Sequence, residues 1–397
     1  MIPQLADSNI CTGCGSCVNA CHHQALQMKE DDEGFLYPIL DLNKCIECGV
    51  CSKRCPELNV VNNAHNRITP QIYALINNID KKYSSSGGAF SAFARIIIAK
   101  GGVVYGAILD SHNNCIHKAA HTIEDISPLR GSKYVQSEID LCYQEVKKNL
   151  SLGKYVMFTG TPCQVSGLKS YLNKDYEKLL AIDVVCHGVP SNRLFKSYLE
   201  KLDKKLHLLS GGKFVFRRLD GWGIASSISW GNKVLPLYGV DNLYMEAFNK
   251  CAIFRKSCYQ CRYAKIPRQG DITIADFWGI GRHGNSFSYK TNKGVSLVMV
   301  NDEKGEVFIS SLSGCVLEER TIQEAIIENP NVNKSSDKPE KRDDIVKAII
   351  DSEMTLDEIE AQFHLTDNSV KGMVKHIAQR SGLFTVIKYI YDTYKSL

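Results

Sequence analysis

The sequence has no long hydrophobic run. Its longest apolar stretch, Ala89 to Ala99, is interrupted by Arg95 and is well short of the roughly 18 residues that a membrane-spanning helix needs. The N-terminal residues MIPQLADSNI contain neither a basic start nor an apolar segment before the first cysteine, so we expect no signal peptide. These absences predict a cytoplasmic protein without membrane insertion.

The composition also lacks extremes. Apolar residues are 44% and charged residues 23% of the 397 residues, which excludes a disordered or collagen-like chain. At about 150 residues per domain, the length predicts two to three domains.

What the sequence does have is cysteine, arranged in clusters. Sixteen cysteines are too few for a disulfide scaffold in a chain of this length, which has no need of one. In a reducing compartment, clustered cysteines indicate metal ligands or catalytic groups.

Two cysteine runs near the N-terminus share the spacing C-x2-C-x2-C-x3-C. They are CTGCGSCVNAC at 11–21 and CIECGVCSKRC at 45–55. This spacing is typical of bacterial ferredoxins, in which the fourth cysteine of each run binds the other cluster. We therefore predict two [4Fe–4S] clusters, one bound by Cys11, Cys14, Cys17 and Cys55 and the other by Cys45, Cys48, Cys51 and Cys21. The alternative is a pair of zinc sites with four cysteines each.

The formal net charge of +5 suggests at first an acidic partner. However, each four-thiolate cluster adds about −2 to a charge counted with neutral cysteines, so three clusters would bring the total to about −1. The basic balance is therefore no argument for nucleic acid, and we predict no nucleic-acid partner.

From residue 71 the chain alternates between apolar strand-like runs and helix-like runs. Strands are predicted at 72–76, 103–109, 154–160 and 179–186, and helices at 88–100, 137–150, 162–172 and 191–206. This alternation predicts an α/β domain with a mostly parallel sheet, and shorter elements after residue 212 predict a strand-rich, α+β second half.

The predicted organisation has four segments. They are a ferredoxin-type domain at 1–60, a linker at 61–70, an α/β domain at 71–333 divided into 71–150 and 151–333, and a helical appendage at 334–397. Within the appendage, 354–380 superficially resembles a helix-turn-helix. Its basic residues do not cluster, which favours a helical segment packed on the body.

The segment Ser84, Ser85, Ser86, Gly87 and Gly88 follows a predicted strand and opens a helix. Free backbone amides at a helix start favour an anion, so this segment could hold a dinucleotide pyrophosphate. The alternative is an ordinary serine N-cap.

Four further cysteines come from three separate segments. Cys163 lies in the first turn of a predicted helix behind Thr161 and Pro162, Cys186 ends a strand, and Cys258 and Cys261 form a C-x2-C step. We predict that they hold a third [4Fe–4S] cluster, with Cys251 as a substitute ligand. The alternatives are that only Cys258 and Cys261 bind metal, or that none of them does.

These motifs, in this order, resemble the coenzyme F(420) hydrogenase/dehydrogenase beta-subunit family. The matching segments are SSSGGAFSAFA (84–94), RGSKYVQS (130–137), FTGTPCQVSGLK (158–169), VCHGVPS (185–191), RKSCYQC (255–261) and GDITIADFWGIG (270–281). A ferredoxin-like N-terminus is a common attachment in this family.

The resemblance implies a flavoprotein that contains FAD and iron–sulfur clusters. It places Ser86, Gly87 and Gly88 on the flavin-phosphate side, and Lys133, Tyr134, Gln136 and Ser137 near the flavin. It also places Thr161 and Cys163 close to the isoalloxazine, and makes Cys258 and Cys261 cluster ligands. Asp271, Asp276 and Trp278 belong to the family signature and are assigned to the site region.

The resulting hypothesis is an oxidoreductase that passes electrons from a low-potential donor through [4Fe–4S] clusters to FAD. The acceptor would be a deazaflavin or another small molecule, with a role in polysaccharide biosynthesis among those the resemblance implies. Ferredoxin or another redox protein would be the donor, and both homo- and hetero-oligomers are compatible. The candidates for a catalytic acid are Lys133, Tyr134 and His187. The alternatives are a flavin-free electron-transfer adaptor and a DNA-binding redox sensor.

Overall fold

The computed structural model describes residues 2–59, 65–207, 212–219, 222–223, 226–283 and 285–366. Residues 61–64 of the predicted linker, and the predicted helical tail beyond residue 366, lie outside the described residues. The second half of the segment that resembles a helix-turn-helix also lies outside the described residues.

The two N-terminal cysteine runs flank a β-hairpin. Its elements are α1 (Ser16–Asn19), β1 (Leu26–Glu30), β2 (Leu36–Leu40) and α2 (Val50–Lys53), with β1 and β2 antiparallel. Each short helix starts after a left-handed glycine, Gly15 at φ 77° and Gly49 at φ 68°, and ends shortly before the fourth cysteine of its run. The glycines therefore let the backbone turn around the first three cysteines of each run.

The rest of the described chain forms a large sheet of eight strands and a small one of three. The strands are β3 (Gln71–Asn77), β4 (Val103–Leu109), β5 (Cys115–Ala120), β6 (Val156–Gly160), β7 (Leu179–Val184), β8 (Lys213–Val215), β9 (Ser227–Trp230), β10 (Lys233–Pro236), β11 (Ile272–Asp276), β12 (Ser296–Val300) and β13 (Cys315–Arg320). The large sheet has the order β13-β3-β12-β11-β7-β6-β4-β5, and the small one β10-β9-β8.

The prediction of a mostly parallel sheet is wrong, because the large sheet is mixed. Only β4–β6, β6–β7 and β7–β11 pair in parallel, whereas β5, β12, β3 and β13 join by antiparallel pairing. The sequence analysis missed β5, which follows β4 through a tight turn at Asp110–Asn114 and must therefore run antiparallel to it. The α/β class itself is confirmed.

Helices pack on both faces of this sheet. The helices of this part are α3 (Ala89–Ala99), α4 (Cys142–Ser151), α5 (Pro162–Leu172), α6 (Asn192–Leu206), α7 (Leu243–Asn249), α8 (Glu303–Ser310), α9 (Ile322–Ile327), α10 (Arg342–Ile350) and α11 (Leu356–Phe363). Of these, α3, α4, α5, α8 and α9 pack directly against strands of the large sheet. Helices α10 and α11 pack against α6, and Lys205 on α6 contacts Asp357 on α11 at 2.7 Å. No helix in the described part of the chain is long and apolar enough to cross a membrane.

The N-terminal cysteine runs are attached to α4 and α5 by buried polar contacts. The Asn19 amide donates to the Asp140 carbonyl at 2.7 Å, and the Tyr143 hydroxyl donates to the Cys14 carbonyl at 2.8 Å. Gly167 on α5 leaves room for Cys14, since a Cβ there would lie 3.0 Å from the Cys14 Sγ. The first cysteine run therefore sits directly against the helix that carries Cys163.

Candidate functional site

Two small cavities in the N-terminal region are each lined by four cysteines. One, of about 20 Å³, is lined by Cys11, Cys14, Cys17 and Cys55. The other, also about 20 Å³, is lined by Cys21, Cys45, Cys48 and Cys51. The structure therefore groups the cysteines into the same two quartets that the ferredoxin spacing predicts. In each quartet, the fourth cysteine comes from the other run.

A third cavity, of about 30 Å³, is lined by four cysteines that are far apart in the sequence. Cys163 comes from the first turn of α5, Cys186 from the segment after β7, and Cys258 and Cys261 from a loop with one turn of 3₁₀ helix. Helix α5 starts here because Thr161 caps it with Gln164 in a capping box, and Pro162 occupies its first position. Cys251 does not line this cavity.

The polar atoms around the third cavity suit a cluster better than an empty space. The hydroxyls of Thr12 and Ser257 are buried and have no hydrogen-bond partner among the residues that the structure describes, and both residues line this cavity. Buried donors normally have a partner, so these hydroxyls are free to bond a cluster or thiolate sulfur. Burial, reinforced by the neighbouring thiols, raises the pKa of Cys163 and Cys258 to about 12, so the thiolates need a positive group between them.

The cysteine side chains of these quartets are not drawn together as the ligands of one metal ion would be. Among the described residues, no three His, Cys, Asp or Glu side chains converge at the short distances that one ion requires. A [4Fe–4S] cluster instead keeps its four cysteines apart at the corners of a cube, which a cavity with four lining cysteines fits.

The large cavity, of about 300 Å³, lies next to the third quartet and is within the size range of ligand sites. Nearly all cofactor-binding residues predicted from the sequence line it: Ser84, Ser85, Ser86, Gly88, Lys133, Tyr134, Gln136, Ser137 and Thr161. Gly87 does not. A Cβ at Gly87 would lie 2.0 Å from the Leu75 carbonyl oxygen, so glycine is required there by the close approach of β3.

One end of the large cavity is formed by the serine–glycine loop and by Arg130. Gly88, at φ 90°, starts α3, so amides of the first turn of α3 are directed toward the loop. The Arg130 guanidinium donates to the Ser91 hydroxyl at 2.9 Å and pairs with the buried Asp80 carboxylate at 3.1 Å. This end of the cavity therefore offers backbone amides at the start of a helix and an arginine that is held in place. Both groups commonly bind phosphate in proteins.

The inner wall of the cavity contains a hydrogen-bonded chain that the sequence analysis missed. The Gln164 amide donates to the Ser137 hydroxyl at 3.0 Å, and Ser137 is 2.9 Å from His117 Nδ1. His117 Nε2 lies 2.9 Å from the Thr159 carbonyl oxygen, which can only accept. Burial lowers the pKa of His117 to about 4, so the ring is neutral, carries its proton on Nε2 and accepts from Ser137 at Nδ1.

The opposite wall carries a second group of residues, of which the sequence analysis singled out only Asp276 and Trp278. Arg217, almost fully buried, forms a two-pronged ion pair with Asp276 and donates to the Ser85 carbonyl at 2.8 Å. The Trp222 indole donates to Asp276 at 2.7 Å and stacks on Trp278 with centroids 4.8 Å apart. Arg217 follows a short strand without a recognisable motif, so sequence alone gave no signal for it.

The three candidate catalytic acids all line the large cavity. The Lys133 ammonium donates to the carbonyls of Pro128 and Arg130 at 2.7 and 2.9 Å, and burial lowers its pKa to about 8. Burial raises the pKa of Tyr134, an effect that Arg217 opposes. His187 lies on the wall between this cavity and the third quartet. The geometry alone does not single out one of the three.

The four cavities lie in series. Thr161, Cys163, Cys186 and His187 line both the large cavity and the third-quartet cavity, and Thr12 lines both the third-quartet and first-quartet cavities. Cys51 of the second quartet is close enough to Cys17 of the first to raise its pKa. Cys48 is the one exposed cysteine of the twelve, so the series starts at the surface.

Two comparisons with protein families agree with this arrangement. Residues 10–59 match the model of the 4Fe-4S dicluster domain, and residues 153–325 match that of the C terminus of the coenzyme F420 hydrogenase/dehydrogenase beta subunit. Over residues 153–325, the sequence is similar to the C terminus of the coenzyme F420 hydrogenase/dehydrogenase beta subunit. The relationship predicted from the motifs is confirmed, as is the N-terminal iron–sulfur domain.

The individual relatives of this chain are distant in sequence. A coenzyme F420-dependent sulfite reductase of Methanocaldococcus jannaschii is 22% identical over 323 residues, which cover 76% of this chain and 46% of the relative. This chain therefore spans about half the length of that relative. A chain of the F420-reducing [NiFe] hydrogenase complex from Methanosarcina barkeri is 16% identical, with a TM-score of 0.41, over 77% of this chain and 94% of the other.

Proposed function

We propose that the protein is an iron–sulfur flavoprotein oxidoreductase. It takes electrons from a low-potential donor, conducts them through three [4Fe–4S] clusters, and delivers them through FAD to a small-molecule acceptor. The observation that carries this proposal is the series of three four-cysteine cavities that ends at a ligand-sized cavity and shares a wall with it. An adaptor without a substrate of its own would have no use for that last cavity.

The residues around the large cavity fit FAD. The serine–glycine loop, the α3 amides and Arg130 would hold its pyrophosphate, and the Thr161–Cys163 side would face its ring system. When bound, FAD supplies the conversion between single-electron and hydride chemistry. The residues of the chain orient the ligand in the large cavity and hold the third quartet on the other side of a shared wall. They also hold a neutral His117 in the wall of that cavity.

A relative suggests the class of the acceptor, and the exposed cysteine suggests where the donor docks. The relative from M. jannaschii is named for dependence on coenzyme F420, which favours a deazaflavin or a similar planar hydride acceptor. The polysaccharide-related role that the resemblance implies has no counterpart in these comparisons. The donor, a ferredoxin or another redox protein, would dock near the exposed Cys48.

The test is a reductive titration of protein purified without oxygen. A low-potential reductant should bleach the cluster absorbance and then the flavin absorbance, and an added deazaflavin should be reduced with catalytic turnover. In Cys163→Ala, flavin should remain bound but be reduced at least tenfold more slowly, whereas Cys315→Ala on β13 should behave as the wild type. Flavin-free protein that conducts electrons would establish the adaptor instead.

A further inference from the structure

Among the described residues, the arginine side chains with almost no exposure are Arg255, Arg268 and Arg342, and Arg255 differs from the other two. Arg268 lies 3.4 Å from the Asp183 carboxylate, and Arg342 lies 2.6 Å from that of Glu33. Within the described ranges, Arg255 has no carboxylate at ion-pair distance, although it is as buried as the others. An unpaired buried cation costs several kcal/mol, so a structure that retains one needs a compensating negative charge.

The three nitrogen atoms of the Arg255 guanidinium each donate to a different segment of the chain. Nε donates to the Cys11 carbonyl at 2.8 Å, Nη1 to the Gln136 side-chain oxygen at 3.2 Å, and Nη2 to the Leu36 carbonyl at 3.1 Å. Its plane lies over the Tyr37 ring, 4.0 Å from the centroid. All these partners are neutral, so they satisfy its hydrogen bonds but leave its charge uncompensated.

These contacts place the Arg255 charge where the cofactor cavities meet. Cys11 lines the first-quartet cavity, and Gln136 lines the large one. The Arg255 backbone binds the Val189 carbonyl and accepts from the amide of Cys258, which belongs to the third quartet. Gly13, in the first run, would bring a Cβ within 3.1 Å of Nη1, so the cysteine loop closes tightly over the cation.

The nearby carboxylates bind groups other than Arg255. Glu33 is bound by Arg342 and by Lys256, and the Asp31 carboxylate accepts from the backbone amides of Glu33 and Phe35. A four-thiolate [4Fe–4S] cluster, by contrast, is anionic and becomes more so on reduction. Arg255 is therefore placed to compensate the negative charges of clusters bound by the first and third quartets.

We propose that Arg255 is the shared counter-charge of the first and third clusters, which raises the reduction potential of both relative to the second. This inference rests on the proposed function only in that it takes the first and third quartets to bind clusters. The cation stabilises the reduced, more negative state of each cluster, and its three-armed hydrogen bonding keeps the two cysteine sites in fixed contact. Arg255 is thus a positioning and tuning residue for electron transfer between the N-terminal domain and the flavin cavity.

The test is an anaerobic redox titration of the holoprotein, followed by electron paramagnetic resonance, with iron content measured in parallel. At an effective dielectric constant near 20, a unit charge about 10 Å away changes an equilibrium constant about tenfold. In Arg255→Gln, the oxidised-to-reduced ratio of the first and third clusters at a given potential should therefore rise about tenfold. This corresponds to reduction potentials that are more negative by about 59 mV. The second cluster should move much less.

Two further variants separate the charge from the contacts. Arg255→Lys keeps the charge without the planar fork, so its potentials should stay near the wild type. Arg193→Gln removes an exposed ion pair between α6 and Glu30 of the same domain junction, and it should leave all potentials unchanged.

Unchanged potentials in Arg255→Gln with full iron content, or an equal shift of all three clusters, would overturn the proposal. If the Gln variant does not retain iron, Arg255→Lys decides, since a tenfold shift there would show that the contacts and not the charge set the potentials. The readout does not involve FAD or the acceptor. A failure of the proposed flavin chemistry would therefore leave this test intact.

Discussion

The N-terminal and the third cysteine quartets use the same ligands but are built in different ways. The first two quartets come from one short stretch, residues 11–55, in which spacing and glycines shape the loops. The third is assembled from α5, the end of β7 and a loop before β11, so the sheet holds its cysteines in place. The contrast teaches that a local site depends on its metal to fold, whereas a distributed site depends on its scaffold.

The largest effect should follow removal of the clusters. After oxidation and chelation of iron, we expect amides of β1 and β2 to exchange at least a hundredfold faster, because so small a domain has little core beside its cofactors. Amides of β6 and β7 should keep their protection, since the sheet core does not contain metal. Hydrogen exchange read by mass spectrometry measures both, and a hairpin that stays protected without iron would contradict the contrast.

The next effect concerns the wall of the large cavity. Arg217→Met leaves the Asp276 carboxylate without its ion-pair partner, although the Trp222 indole still donates to it, and should destabilise the central domain by about 3 kcal/mol. Flavin occupancy should fall as well, because Arg217 also holds the Ser85 carbonyl. The double variant Arg217→Met/Asp276→Leu should recover most of the stability in thermal melting. A single variant that melts as the wild type would refute this account of the wall.

The contact between the two kinds of quartet can be tested at Gly167. In Gly167→Ala the new Cβ would lie 2.9 Å from the Cys14 Cβ, so α5 and the first cysteine run must separate, at a cost of about 2 kcal/mol. We expect a lower melting temperature and an altered signal of the first cluster. Gly223→Ala is the control, because a Cβ there would have no atom of the described residues within 4 Å. Equal behaviour of the two variants would sink the prediction.

A smaller effect depends on pH, through His117. Its pKa is lowered to about 4 by burial, with Lys133 adding to the shift, so the unfolded chain binds more protons than the folded one between pH 4 and 6.5. His117 therefore makes the protein less stable as pH falls through this window. Between pH 7.5 and 5.5 the loss amounts to about 1 kcal/mol.

His117→Gln should remove that part of the pH dependence while retaining hydrogen-bonding capacity at the site. Melting curves of wild type and variant at the two pH values provide the measurement. A stability difference between the two proteins that does not change with pH would show that the ring does not titrate in this way.

The smallest effect is expected at Ser257, whose hydroxyl has no hydrogen-bond partner in the described part of the protein. Ser257→Ala should leave the iron content unchanged and shift only the third cluster to slightly more negative potential, by less than Arg255→Gln does. In protein stripped of iron, the same variant should be no less stable than the wild type, because an unsatisfied buried donor has been removed. Loss of four irons would instead make Ser257 part of the ligand framework.

Much of this architecture is accessible from the sequence, because it is local. The ferredoxin spacing groups the N-terminal cysteines as the cavities do, and predicted helices such as 162–172 match α5 to the residue. The third quartet could be grouped too, since its motifs carry distinctive cysteines.

What escaped the sequence is what depends on tertiary placement. His117 lies on β5, the last strand of the large sheet. It becomes part of the cavity wall because the segment of Ser137 and Glu138 runs along β5, with the His117 amide donating to the Glu138 carbonyl at 2.9 Å. The mixed sheet was missed for the same reason, since apolar strands look alike whichever direction their neighbours run. The domain boundaries and the ligand roles of individual residues stay predictions.

The most direct test of the central claim is the amount of iron and FAD per chain in protein purified without oxygen. We expect about twelve irons and one FAD per chain, because three four-iron clusters lead to one flavin cavity. About eight irons and no flavin would contradict it, since only the local N-terminal quartets would then carry cofactors.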